Sequence, residues 1–62
     1  MNREALVERM TQIGEIQHDI EKRTMSGVDS PVGVHCNFIE WHKLMLEYNS
    51  IYNLIKGMNN DN

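Results

Sequence analysis

Apolar side chains recur at alternating steps of three and four along the second half of the chain, at Pro31, Val34, Phe38, Trp41, Met45, Tyr48, Tyr52 and Ile55. No charge interrupts the series, and its spacing is that of a heptad seam. A second row, Trp41, Leu44, Tyr48, Ile51, Ile55 and Met58, runs beside the first and shares three members with it. Together they make an apolar face wider than one partner helix covers. The first half carries a narrower stripe of Leu6, Met10, Ile13 and Ile20, with Ile16 at its edge. Gln17 and Thr24 occupy the centre of that face, while Glu8, Glu15, Asp19 and Lys22 lie opposite as a solvated surface. Gly14 falls mid-helix, at a cost of about 1 kcal/mol against alanine, and marks a candidate close helix crossing.

The punctuation between these patterns predicts two helices. Asn2 is a capping residue, and Glu4 places a negative charge in the first turn, at the positive end of the helix dipole. Asp19 and Arg23 are spaced for an exposed helical ion pair. Gly27 ends the first helix in a left-handed conformation before the turn-rich Val28-Asp29-Ser30. Ser30-Pro31 then starts a second helix, because proline lacks only an N–H that would have no helical partner there. Gly33 weakens that first turn and moves the expected start toward Asn37, and Gly57 is the expected stop. The predicted spans are one domain over 1–62, with a helix over 3–26, a turn over 27–30, a helix over 31–57 and a frayed polar tail over 58–62. Each helix is about 35 to 40 Å long, and two helices joined so tightly pack antiparallel. The expected fold is therefore all-α, an antiparallel two-helix hairpin. Its uncovered outer row predicts assembly into a homo-oligomeric helical bundle, a homodimer or a higher even-numbered oligomer. Where the two rows meet, at Trp41, Tyr48 and Ile55, a packed centre or a ligand cleft is expected.

Composition narrows the function classes. At 62 residues the chain lies where a lone core is marginal. Cys36 is the only cysteine, so no disulfide forms within the chain and a reducing, cytoplasmic setting is expected. A net charge of −3 argues against a general nucleic-acid binder, which needs a basic face to displace counterions. No apolar run reaches membrane-spanning length, and the N-terminus lacks the apolar core of a signal peptide.

Candidate chemistry is sparse. Trp41, Tyr48 and Tyr52 read first as core and interface, and alternatively as a stacking surface for a planar ligand. His35, His42, Asn49 and Lys56 form a polar row, but histidines seven apart stand about 10 Å from each other, too far to share a zinc ion. No metal, cofactor or catalytic residue is therefore expected. Lys22, Arg23, Thr24, Ser26 and Ser30 gather cations, hydroxyls and a helix N-terminus at the turn, a chemistry that suits phosphate. Glu40 and Glu47 read as solubilising charge on the solvent side. There is no nucleophile with a base at contact spacing, so an enzyme is not expected.

Arg23 to Ser26 at the turn, and the run Phe-Ile-Glu-Trp-His-Lys-Leu-Met-Leu-Glu-Tyr-Asn from Phe38 to Asn49, sit on a hairpin that resembles small phage-encoded anti-defence proteins. In particular it resembles the hairpin-type sponges that oligomerise and sequester cyclic-nucleotide signals. The likeness is one of architecture across the whole hairpin and carries over no ligand contact. It implies a non-catalytic binding protein, acting in the host cytoplasm if phage-encoded, that holds a nucleotide second messenger in clefts between protomers. Phosphates would be held by Lys22, Arg23 or Lys56, and bases would stack on Trp41, Tyr48 or Tyr52. The alternative reading is a small protein-interaction module, an adaptor or an inhibitor of a host protein, whose outer row receives a partner's helix.

Overall fold

A computed structural model describes residues 2–59 of the chain. They form two helices, α1 (Arg3–Ser26) and α2 (Pro31–Asn59). Residues bonded across the pair occur in reverse order along the two helices: Arg9 with Glu47, Gln17 with Trp41, Thr24 with Asn37. The helices are therefore antiparallel, in a hairpin 49 Å long and about 15 Å across. Neither is long and apolar enough to cross a membrane.

The ends follow from local chemistry. The Asn2 side-chain oxygen accepts from the Glu4 N–H at 2.9 Å, which satisfies one of the donors a helix start leaves without a partner. Gly27 closes α1 at φ 76°, and its N–H donates to the Thr24 carbonyl. A β-carbon would be strained there. α2 starts at Pro31 rather than near Asn37. Ser30 Oγ accepts from the Gly33 N–H at 3.1 Å, and a β-carbon at Gly33 would stand only 3.3 Å from that of Asp29. The glycine thus lets Asp29 fold over the helix start. At the other end α2 continues through Gly57 to Asn59, two residues beyond the expected stop. Gly57 has no positive φ, so nothing in its backbone ends the helix. The rest of the predicted frayed tail, 60–62, lies outside the described residues.

Ile13, Ile20 and Ile51 form the buried centre. Around them Leu6, Met10, Ile16, Gln17 and Thr24 of α1 are half-buried, as are Val34, Asn37, Trp41, Leu44, Met45, Ile55 and Met58 of α2. The row from Trp41 through Leu44 and Ile51 to Met58 therefore faces α1. Phe38 and Tyr52, from the other row, remain 66% and 54% exposed. Burying one isoleucine contributes about 1.5–3 kcal/mol, so a centre of three leaves the hairpin with little apolar surface out of water.

Candidate functional site

Two flanks of the hairpin differ in chemistry. On one, the Arg9 guanidinium grips the Glu47 carboxylate with two bonds, Nε to Oε2 at 2.7 Å and a terminal nitrogen to Oε1 at 3.0 Å. Both side chains are roughly two-fifths exposed. Hydrogen bonding to Arg9, with its charge, holds the Glu47 carboxyl below the usual carboxylate range, against a smaller opposing effect of partial burial. The same bond raises the Arg9 guanidinium. Glu47 is thus an interhelical tie and not the solubilising charge its solvent-side position suggested. Nearer the turn, Asp29 accepts from Asn37 at 2.7 Å and from Arg23 at 3.4 Å. Among the described ion pairs, Arg23's is with Asp29 and none is with Asp19.

The other flank is apolar. Ile20, Glu21, Thr24 and Met25 of α1 line an open groove of about 410 Å³ with Val34, Phe38 and Trp41 of α2. The Trp41 indole N–H donates to Glu21 at 3.2 Å, and Gln17 donates to the Trp41 carbonyl at 3.2 Å. Met25 is 87% exposed at the groove's rim.

The expected ligand residues spread along the molecule. Lys22 and Arg23 are exposed beside the turn, Trp41 is half-buried opposite Glu21, and Tyr48, Tyr52 and Lys56 are exposed farther along α2. At 1.5 Å per residue, Lys56 stands roughly 22 Å along the axis from Trp41, so one protomer does not gather all six around one small ligand. The phosphate-suited corner is largely bonded within the protein. Arg23 pairs with Asp29, Thr24 Oγ1 accepts from Asn37, Ser26 Oγ donates to the Arg23 carbonyl at 2.6 Å and Ser30 caps α2. Asp29 also puts a carboxylate where the dipole of α2 would favour an anion. Lys22 makes no ion pair among the described residues.

One surface falls outside both heptad rows. Val32, Ile39 and Leu46, seven apart, are exposed on the back of α2, and Leu54 is exposed one heptad beyond Glu47. Their spacing is legible in the sequence, but the rows traced from Pro31 and Trp41 pass beside it. His35, His42, Asn49 and Lys56 are exposed between this back row and the apolar flank. Cys36 is a free, exposed thiol, and among the described residues no three His, Cys, Asp or Glu side chains cluster as metal ligands. No protein-family model matches the chain, and comparison with curated proteins and with solved structures gives no significant match.

Proposed function

We propose that this chain acts by association: a non-catalytic helical module that pairs with copies of itself and receives a partner protein's amphipathic helix on α2. One observation carries this reading. Val32, Ile39 and Leu46 form an exposed apolar row on the back of α2, and residue 39 lies about 160° around the helix from Trp41, which faces α1. The occupant with matching chemistry is a helix bearing its own apolar stripe, and the biological role is that of an adaptor or inhibitor of a host protein in the cytoplasm. Affinity capture from host lysate with the native chain and with Leu46→Glu in parallel tests it. A protein retained by the first and lost by the second is expected; capture insensitive to Leu46→Glu and to Ile39→Glu would overturn the assignment of this row.

A second reading, sequestration of a cyclic nucleotide between protomers, is favoured by the aromatic groove of Phe38 and Trp41, with Lys22 exposed on the outer face of α1. It ranks second because Arg23 is paired and Asp29 is acidic at the same corner. Calorimetric titration with cyclic di- and trinucleotides tests it. Stoichiometric binding without turnover, abolished by Lys22→Glu and Arg23→Glu in an intact oligomer, is the outcome this reading requires.

A further inference from the structure

We propose that the apolar flank is a two-fold interface between copies of this chain, in which Tyr52 of a second copy enters the groove beside Trp41. This goes beyond self-pairing in general by assigning the face, the axis and the inserted side chain. It rests on the association reading and not on nucleotide binding.

The groove places Glu21 and Met25 of α1 on the same side as Phe38 and Trp41 of α2. Steps of seven keep to one helix face. From Phe38 they reach Met45 and Tyr52, and from Glu21 they reach Gly14 and Val7. Glu21 is the one charge in these two rows, and Arg3 and Lys56, each five full turns from Glu21 and Phe38, add two charges on the same flank at the far end of the hairpin. The opposite flank carries both described ion pairs and is the poorer surface for burial against a copy of itself.

The spacing sets the axis. Met45 is midway between Phe38 and Tyr52, with steps of about 10.5 Å on either side. A two-fold axis at the level of Met45, lying in the plane of the interface and perpendicular to the helices, turns the two flanks toward each other and brings Tyr52 of each copy to the level of Phe38 of the other, as an isologous interface requires. Tyr52 is 54% exposed and meets there an open groove of about 410 Å³. One Glu21 oxygen already accepts from Trp41; the other is available to the incoming phenol, whose hydroxyl needs a partner once buried.

Gly14 supports the same placement. Arg9 pairs with Glu47 and Gln17 with Trp41, so Gly14 lies between those two levels, close to that of Met45. A β-carbon there would meet nothing within 4 Å, so the close crossing it suggested is not one within the hairpin. The helix accepts a poor helix former at the point where a second copy would approach most closely. Size agrees too. A side of 49 by 15 Å projects roughly 700 Å², near the about 800 Å² per partner of standard stable interfaces.

Trp41 is the sole tryptophan, so its emission reports on the groove. In a dilution series, dimer mass by sedimentation equilibrium and a blue shift of Trp41 emission are expected to follow one isotherm. Tyr52→Glu should raise the dimer Kd roughly 30-fold or more, as for a buried aromatic anchor, while Ile39→Glu on the back should leave it within about twofold. Gly14→Leu guards against misfolding of the tyrosine variant, because its side chain meets open space in the protomer; helicity should hold while the dimer weakens. A monomer at every concentration, a dimer that forms without change in Trp41 emission, or a Gly14→Leu dimer as tight as the native one would each overturn the proposal. A cyclic dinucleotide that shifts Trp41 emission while the native chain stays monomeric would also overturn it. Partner capture that is unaffected by Leu46→Glu and Ile39→Glu, with the dimer intact, would count against the back-row reading alone.

Discussion

On α1 the apolar stripe and the buried stripe coincide: Leu6, Met10, Ile13, Ile16 and Ile20 are all buried or half-buried against α2. On α2 they do not. Leu44, Ile51, Ile55 and Met58 face α1, while Phe38, Tyr52, Val32, Ile39 and Leu46 remain exposed. Two helices of similar length in one hairpin thus differ in how much of their circumference is apolar, and α1 is too narrow to cover its partner. Val7 and Met25 are the exposed apolar side chains of α1, but most of the excess lies on α2, in two places separated by the His35, His42, Asn49 and Lys56 row. A helix that only had to close a hairpin would need neither.

The largest break in this comparison is expected from its most buried residue. Ile13 has no exposed surface, so Ile13→Ala should cost about 2–5 kcal/mol, whereas Ile39→Ala on the back of α2 should stay within about 0.5 kcal/mol. Thermal melts followed by circular dichroism compare the two directly, and equal losses would erase the distinction between the helices. Next comes the turn that sets the helices against each other. Gly27→Ala places a β-carbon at φ 76° and should cost about 1–2 kcal/mol, read by the same melts. Gln17→Ala removes the bond to the Trp41 carbonyl and should cost about 1 kcal/mol; an unchanged melt would show that this tie does not hold the register.

The smallest effect is a pH dependence on the polar flank. Arg9 holds the Glu47 carboxyl below its ordinary range, so the folded state binds that proton less readily than the unfolded chain does. The stabilisation is therefore present at neutral pH and lost as pH falls through the lowered value. Because the pair is solvent-open, the loss should be small. Melts of the native chain and of Glu47→Gln from neutral to acid pH should differ in slope, and parallel curves would remove Glu47 from the ledger of contacts that join α1 to α2.

Much of the fold was legible in the sequence because its signals are local. Asn2, Gly27 and Ser30-Pro31 each act within a turn of their own position, and the spacing of Leu6 to Ile20 identifies a face without knowledge of what covers it. The start of α2 at Pro31 was legible from Ser30-Pro31, and only the delay toward Asn37 read from the propensity cost of Gly33 does not occur. The Ser30 cap and the approach of Asp29 outweigh that cost. The candidate site was less legible because its geometry depends on register. Arg9 and Glu47 are 38 residues apart, and Trp41 and Glu21 are 20 apart. No periodicity within one helix states which residue of the other will stand opposite. The expected phosphate corner had the right residue types, but the bonds they make to one another appear only once α2 is folded back.

Sedimentation equilibrium of the unmodified chain at micromolar concentration tests most directly whether the uncovered surface of α2 is there for association. An even multiple of the 7.3 kDa protomer mass is the predicted result. A stably folded 7.3 kDa monomer across that range would contradict it.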